Sequence, residues 1–350
     1  MKSTAGHHFE DFSIGQRFAH ATPRTLGQGD ATLYLALYGS RFALHSSDAF
    51  ARQLKLPGRP LDDLLVFHTV FGKTVPDISL NAVANLGYAS GQFRGLVYPG
   101  TTVHAVSEVI GLKENSNRRT GVVYVRTEAR DEVGRTLLSF IRWVMVRKRD
   151  PHSEPGEVWV PDLPESIAAH ALHVPEEIDF RAFDSSLSGS RFFWEDYEPE
   201  EKIDHIDGMT VEESDHMLAT RLYQNTARVH FNQHAQNQES HGRRLIYGGH
   251  AISIARALSF NGLGNALLLA GINAGRHVNP LFAGDTVFAW SHIVDKAELP
   301  GRSDCGALRL RLMATRNLSC GGFPDKDAAG RYPDDLILDF DYWAILPRHP

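Results

Sequence analysis

The stretch Leu222–Asn232, LYQNTARVHFN, has a counterpart earlier in the chain at Leu37–Ser47, LYGSRFALHSS. In each stretch a tyrosine is followed seven positions later by a histidine: Tyr38 with His45, and Tyr223 with His230. The two stretches are 185 residues apart. A buried helix does not require a histidine at that place twice, so the pair indicates both a duplication and a candidate functional position.

The correspondence extends well beyond the histidine. Residues of matching type recur at the same offset of 185: Phe9-Glu-Asp-Phe12 with Trp194-Glu-Asp-Tyr197, Arg17 with Lys202, His20 with His205, Thr25 with Thr210, and Asp30 with Asp215. Further on, Gly95–Val103 matches Asn279–Val287 at an offset of 184, which requires one deletion. Because a chance alignment would not keep its register over so long a stretch, we predict two tandem copies of one domain.

Each copy begins with helices and ends with strands. Asp30 is expected to cap a helix that ends at Tyr38, and Ser214 or Asp215 one that ends at Tyr223, since short polar side chains accept from first-turn amides. The apolar spacing of Leu61–Val75 predicts a buried central helix, and Ile246–Phe260 is its counterpart. Strands are expected at Thr101–Ile110, Val122–Ala129, Leu137–Val146, Thr286–Val294, Leu308–Thr315 and Leu336–Ile345, with a hairpin turn at Asp131–Gly134. Antiparallel strands around one apolar helix define an α+β unit.

The composition narrows the class of protein. A chain of 350 residues that is 42% hydrophobic has room for one large or two ordinary domains. A net charge of -6 without a long basic block gives no reason to expect nucleic acid. The mean hydropathy is -0.26 and no apolar run reaches about 18 residues, so a membrane span is not expected. The first residues, MKSTAGHHFEDF, lack the apolar core of a signal peptide, which predicts a cytoplasmic protein.

Patterns that bind metals or cofactors are not found in the sequence. Cys305 and Cys320 are too few for a disulfide framework and wrongly spaced for zinc. The 18 histidines include no HExxH spacing, and neither GxGxxG nor GxxxxGK[ST] precedes a helix. A GxSxG elbow is also missing, which argues against an α/β-hydrolase. We therefore expect neither a metal nor a cofactor.

A proline-rich segment, Asp150–Ser190, separates the two copies. Four of its prolines, Pro151, Pro155, Pro161 and Pro164, exclude a long helix near its start. We interpret it as a linker that crosses the surface between the copies.

The order of helix, histidine-bearing loop, buried helix, Pro-Gly-Thr-Thr or Ala-Gly-Asp-Thr turn and antiparallel strands resembles the MaoC-like dehydratases, also called (R)-specific enoyl-CoA hydratases. Their signature Gly-Asp-x-Asn-Pro-x-His falls on Gly39–His45 and on Gln224–His230. The histidine is kept twice, whereas Ser40 and Asn225 replace the aspartate and neither copy keeps the Asn-Pro pair. The stretches LYGSRFALH, LYQNTARVHF, FRGLVYPGTT and LIYGGHAIS are similar to the mesaconyl-CoA hydratases, also called β-methylmalyl-CoA dehydratases.

This resemblance implies a tandem, or double, hotdog fold. With the repeat and the proline-rich segment, it gives an N-terminal hotdog domain at 1–150, a linker at 151–190 and a C-terminal hotdog domain at 191–350. It also implies reversible hydration of an α,β-unsaturated acyl-CoA, with mesaconyl-CoA and β-methylmalyl-CoA as the expected pair. Two alternatives stay open: an acyl-CoA thioesterase of the same fold, and a CoA-thioester binding module whose altered signature reflects lost catalysis.

Hydration needs a base for water, an acid for the α-carbon and donors for the enolate oxygen. His230 is predicted to be this base or to hold the water in line, because a neutral imidazole suits the role of base near pH 7. Asn225 is expected to orient the water, since an amide hydrogen-bonds but does not exchange protons readily. In the turn Tyr247–Gly249, Gly248 offers a backbone amide at a helix start for the oxyanion. His45 is the weaker catalytic candidate, as its copy carries Asp62 and Asp63 at the corresponding turn.

Asp62 and Asp63 have two readings. As carboxylates they would oppose an enolate, which makes the second copy the catalytic one and leaves the first to hold the acyl or pantetheine part. As first-turn acids they would complement the helix dipole.

Four further residues are expected to contact the substrate: Tyr223, Arg228, Arg244 and Ser40. A guanidinium matches a carboxylate in geometry, so Arg228 or Arg244 is predicted to hold the free carboxylate of a dicarboxylyl thioester. Neither nucleic acid nor membrane is an expected partner. Because a double hotdog leaves strand edges exposed, a homodimer or higher homo-oligomer is expected.

Overall fold

The computed structural model describes residues 2–154, 156–239 and 241–350. The helices in these ranges are α1 Gln28–Tyr38, α2 Ala43–Ser46, α3 Asp48–Gln53, α4 Asp63–Thr74, α5 Ser185–Ser188, α6 Glu213–Leu222, α7 Arg228–Phe231, α8 Gln233–Gln236, α9 Gly248–Leu258 and α10 Phe260–Leu263. A π-helical turn at Val75–Ser79 continues α4. None of these helices combines the length and the apolar character needed to cross a lipid bilayer.

The described residues form one antiparallel sheet of ten strands. The strands are β1 Arg17–Thr25, β2 Ala82–Phe93, β3 Thr102–Glu114, β4 Thr120–Arg130, β5 Thr136–Arg147, β6 Lys202–Thr210, β7 Leu268–His277, β8 Thr286–Leu299, β9 Arg302–Arg316 and β10 Leu336–Pro347. Their spatial order is β1-β3-β4-β5-β2-β7-β10-β9-β8-β6. Each half of the sheet has the same internal order, and β2 pairs with β7 at the centre.

Residues at the same position of the two copies meet across the centre of the molecule. The hydroxyl groups of Tyr38 and Tyr223, which are 185 residues apart, are hydrogen-bonded at 2.8 Å. His68 Nε2 and Ser253 Oγ, also 185 residues apart, are 3.1 Å from each other. Residues that are 185 positions apart in the sequence are therefore related by an approximate two-fold axis, as expected for two tandem copies.

The two central helices are buried against this sheet. Every residue of α4 is buried, and so are nine of the eleven residues of α9. A single apolar cluster joins residues of both helices, so the two copies share one core. The central helices predicted from apolar spacing are confirmed, with shorter bounds than expected.

The predicted helix caps Asp30, Ser214 and Asp215 are wrong. α1 starts after Gly27, and the Asp30 carboxylate accepts from the Gly27 N–H at 2.7 Å from inside the first turn. α6 starts after Glu212, so Ser214 and Asp215 also lie inside the helix. Acidic side chains stabilise a first turn from within, and they mark the helix start only to within a turn.

The six predicted strands are confirmed, and the hairpin turn is formed, with the Gly134 N–H donating to the Asp131 carbonyl. The strands β1, β2, β6 and β7 were not predicted. β2 and β7 are rich in small residues, which hides their alternation. Small residues are needed there because a Cβ on Gly91 would lie 2.8 Å from Ile272 of β7, and one on Gly275 would lie 2.8 Å from Tyr88 of β2.

The segment between the copies contains no long helix among its described residues. It forms short helical turns at Ala169–Ala171 and Phe180–Ala182, and it buries Ile167 and Ile178 in a second apolar cluster beside β7 and β10. Pro155 lies outside the described residues.

Candidate active site

A cavity of about 310 Å³ lies between the two copies. The first copy lines it with α4, β2 and β5, and the second with α7, the start of α9 and the end of β7. Most of the lining is apolar, and a few buried polar groups interrupt it. This combination is typical of small-molecule sites, because apolar walls bury the ligand and a few polar groups orient it.

His230 lies on this cavity as an uncharged base. It belongs to the one-turn helix α7, and its Nδ1 is 2.9 Å from the carbonyl oxygen of Leu245. A carbonyl only accepts, so Nδ1 carries the proton and Nε2 keeps its lone pair. Burial lowers the pKa of His230 to about 4, although the bond to Leu245 opposes this shift. The imidazole is therefore neutral at pH 7.

Asn225 presents a free amide donor to the same cavity. Its side chain is 1% exposed, and its Oδ1 accepts from the backbone N–H of Ala227 at 3.1 Å. This contact fixes the amide orientation, because an N–H needs an oxygen as partner. Nδ2 is buried and has no acceptor among the described residues. Asn225 can therefore donate to a water or substrate oxygen, while its own oxygen is already used.

The start of α9 supplies backbone donors that have no acceptor within the helix. Gly248 is the first residue of the helix and lines the cavity, and the preceding Tyr247 provides no side-chain cap. First-turn amides have no partner inside a helix, and the helix dipole adds positive charge at this end. The Gly248 amide is thus suited to a thioester oxygen that gains negative charge.

His216 and His277 hold this helix start in place. The Tyr247 N–H donates to His216 Nε2 at 2.9 Å, and burial lowers the pKa of His216 to about 2, so it stays a neutral acceptor. A Cβ on Gly248 would lie 2.3 Å from the His277 ring, whose Nε2 is 3.1 Å from the Tyr88 hydroxyl. Only glycine lets the helix approach His277 this closely.

At the corresponding helix start in the first copy, carboxylates accept hydrogen bonds from backbone amides. Asp62 caps α4, with its Oδ1 accepting from the Leu64 N–H at 2.9 Å, and the Asp63 carboxylate accepts from the Leu269 N–H at 2.8 Å. Burial raises the pKa of Asp63 to about 6. This capping contact agrees with the interpretation that Asp62 complements the dipole at the start of the helix.

His45 is held by backbone carbonyls of Leu267 and Pro60, at 3.1 and 3.4 Å, with an Asp63 carboxylate oxygen 3.9 Å away. It does not line the cavity that holds His230. The structure therefore brings Asn225, His230 and Gly248 together and leaves His45 apart.

The four expected substrate contacts also lie off this cavity. Tyr223 is buried in the core with its hydroxyl on Tyr38, and Ser40 is half-buried after α1. Arg228 Nη1 donates to the side chain of Asn81 at 2.8 Å. Arg244 forms an ion pair with Glu213. Both guanidinium groups thus have partners elsewhere, because α7 and the segment before α9 point them away from the site.

Several polar residues of the cavity are not predicted from the sequence, among them Arg142 and Asn85. Arg142 carries the only charge in the apolar run Leu137–Val146, LLSFIRWVMV. A lone charge inside a buried strand is a usable signal, since such a group needs a partner or a ligand. Asn85 has no comparable signal in its neighbourhood.

Two solved structures define the class of protein. The chain matches the crystal structure of a MaoC domain protein dehydratase from Chloroflexus aurantiacus with a TM-score of 0.98, at 56% identity and covering 100% of both chains. A Mycobacterium tuberculosis protein described as having a double hotdog fold matches with a TM-score of 0.79, at 28% identity over 98% of this chain and 99% of the other. The protein is therefore a MaoC-like double hotdog, and the predicted α+β tandem hotdog is confirmed.

The sequence narrows this class to one family. A family model described as mesaconyl-CoA hydratase matches residues 2–319. A relative from Chloroflexus aurantiacus named β-methylmalyl-CoA dehydratase is 56% identical over 347 residues, covering 99% of each chain. One from Cereibacter sphaeroides named mesaconyl-CoA hydratase is 56% identical over 350 residues, covering 99% of this chain and 100% of the relative. The chain belongs to the mesaconyl-CoA hydratase family, which confirms the resemblance.

Proposed function

We propose that the protein is a hydro-lyase that interconverts mesaconyl-CoA and β-methylmalyl-CoA by reversible addition of water. The names of the two relatives at 56% identity support this substrate pair. One observation supports the chemistry: a neutral histidine, His230, and the first residue of helix α9, Gly248, line the same cavity.

His230 Nε2 is the base of the hydration. It takes a proton from water while the water oxygen bonds to the β-carbon, and the electrons of the double bond move towards the thioester carbonyl. The resulting imidazolium then returns the proton to the α-carbon, so that H and OH are added overall. One group serves as base and then as acid, because Asn225 does not exchange protons readily.

The Gly248 amide receives the negative charge that forms on the thioester oxygen. It is fixed before the reaction by the start of α9, so no reorganisation is needed when the charge appears. The free Nδ2 of Asn225 donates to the attacking water or to the acyl group, which keeps the reacting atoms in line.

A single assay tests this function against the two alternatives. Mesaconyl-CoA is mixed with the enzyme, and the absorbance of the conjugated thioester is followed together with the concentration of free thiol. Loss of the absorbance without thiol release is expected. Thiol release would indicate a thioesterase. A protein that binds the thioester but changes neither signal would be a binding module.

We further propose the division into domains at 1–150 and 191–350 with a linker at 151–190, a cytoplasmic location and a homodimeric or higher assembly. The matching strand order of the two halves supports the division. The strands β1 and β6 at the two ends of the sheet leave edges that a second copy could cover. Light scattering on the purified protein tests the assembly, and a monomer mass would refute it.

A further inference from the structure

We propose that Arg142, assisted by Asn85, binds the free carboxylate of a dicarboxylyl thioester and so selects dicarboxylyl over monocarboxylyl enoyl-CoA substrates. This inference rests on the proposed hydratase function. It assigns the carboxylate contact to a residue of the first copy, whereas the sequence predicts Arg228 or Arg244 of the second copy for this role.

Arg142 is a fully buried guanidinium with neutral partners. Its Nη2 donates to Thr74 Oγ1 at 2.8 Å and to Ser79 Oγ at 3.3 Å, and its Nη1 reaches Asn85 Oδ1 at 3.4 Å. The guanidinium carbon also lies 4.4 Å from the centre of the Phe71 ring. These contacts hold the group in one orientation on the cavity wall without neutralising its charge.

Donors remain free on this wall. Nε of Arg142 and Nδ2 of Asn85 are both buried and have no acceptor among the described residues. Both residues line the cavity. Two buried donors without acceptors among the described residues, one of them on a cation, suit the oxygens of a carboxylate in charge and hydrogen-bonding character.

The burial of this charge is costly to the fold. Burial lowers the pKa of Arg142 to about 10, which still leaves it charged at pH 7. A buried charge normally has an ionic partner, because desolvation is expensive. An anionic ligand would offset the penalty, so the fold as described is adapted to the bound state.

The other copy contains a buried arginine, Arg256, which matches Phe71 in sequence and whose two Nη groups are occupied. Arg256 is 185 residues after Phe71, and Ser259 is 185 residues after Thr74. Arg256 Nη1 donates to Ser259 Oγ at 3.1 Å, its Nη2 donates to the carbonyl of Ala266, and its guanidinium lies 3.5 Å above the Phe42 ring. No Arg256 atom is among the unpartnered buried groups of the described residues. Nε of Arg59 and of Arg244 also lacks an acceptor among the described residues, but of these three arginines only Arg142 lines the cavity.

The chemistry of the substrate places its carboxylate near the reacting atoms. In a thioester of a butenedioic acid, the β-carbon that water attacks also bears the free carboxylate. The carboxylate must then lie in the cavity that contains His230 and Gly248. Arg142 lies on that cavity, whereas Arg228 and Arg244 do not.

The test compares mesaconyl-CoA with tiglyl-CoA, in which a methyl group replaces the β-carboxylate and nothing else changes. Replacing Arg142 with Met should lower the kcat/KM ratio of mesaconyl-CoA to tiglyl-CoA about 100-fold, mainly through KM, because charged hydrogen bonds of this kind contribute that much. Arg142→Lys should recover part of the ratio. Arg256→Met is the matched control and should leave the ratio as in the wild type.

A second variant keeps the proposal testable if loss of Arg142 impairs folding. Asn85→Asp gives the guanidinium an internal carboxylate, which should raise the melting temperature and weaken the binding of methylsuccinyl-CoA about 100-fold relative to 2-methylbutyryl-CoA in calorimetry. A purely structural role of Arg142 would raise the stability without changing this preference, and that result would overturn the inference.

The two proposals fail in different ways. Equal losses on mesaconyl-CoA and tiglyl-CoA in Arg142→Met would overturn the carboxylate contact and leave the hydratase function intact. If the wild type hydrates neither thioester, the proposed function is refuted. The calorimetric preference for methylsuccinyl-CoA, and its loss in Asn85→Asp, would then still decide the role of Arg142.

Discussion

Replacing Gly248 with Ala tests whether the start of α9 is the oxyanion site. The added Cβ would lie 2.3 Å from two atoms of the His277 ring, whereas an ordinary contact begins at 3.4 Å. The ring or the helix start must therefore move by about 1 Å. Such a displacement of a catalytic donor costs about 100-fold in rate, because oxyanion donors act only at the correct distance.

The assay is steady-state hydration of mesaconyl-CoA by Gly248→Ala, with kcat and KM determined separately. We expect kcat to fall about 100-fold, since the lost contact forms mainly in the transition state. Gly29→Ala is the matched control. Gly29 is also a helical glycine, but it is exposed and a Cβ there meets nothing within 4 Å, so the rate should not change.

Circular dichroism and thermal unfolding show whether Gly248→Ala is folded. A folded variant with kcat within about threefold of the wild type would refute the assignment of this amide, since donors of this kind are worth at least about 100-fold. A fall in kcat of the same size in Gly29→Ala would show that the effect is not specific to the helix start of α9.

Three further predictions concern individual side chains. His230→Ala should lower kcat about 1000-fold, because an acid–base group is lost. His45→Ala should instead lower the melting temperature, with a much smaller loss of kcat. The opposite pattern would place catalysis in the first copy. The neutral form of His230 is the active one, and the pKa of His230 is lowered to about 4. The value of kcat/KM should therefore stay constant between pH 8 and about 5 and fall only as the pH drops towards 4. A loss of activity centred near the ordinary histidine pKa of about 6.5 would contradict this prediction. Arg244→Gln removes the ion pair with Glu213 and should change kcat/KM by the same factor for mesaconyl-CoA and tiglyl-CoA. A loss of kcat/KM confined to mesaconyl-CoA would indicate that Arg244 binds the carboxylate.

The sequence predicted the fold because the duplication preserved local signals. The paired Leu-Tyr and histidine positions, the apolar central helices and six strands all depend on neighbours close in the chain. The strands β2 and β7 could not be predicted in this way. Their glycines are explained by close contact between Tyr88 and Gly275 and between Gly91 and Ile272, and that contact exists only once the two copies pair.

The candidate site was predictable only in part for the same reason. Asn225 and His230 lie in one motif, and Gly248 begins the next helix, so their proximity follows from local order. Arg142 comes from the last strand of the other copy, and sequence spacing does not place it on their cavity. Nearness to His230 in the sequence predicts Arg228 and Arg244 as contacts, whereas the direction of a side chain depends on its element, and both residues lie off this cavity.

The contact between His68 and Ser253 has a consequence for how such a protein can evolve. These residues occupy the same position in the two copies and meet near the two-fold axis. A dimer of two identical single-domain chains would have to place the same side chain on both sides of that contact. Joining the copies in one polypeptide removes this restriction, so a histidine can face a serine. A mutation can then improve one half of the molecule without being imposed on the other.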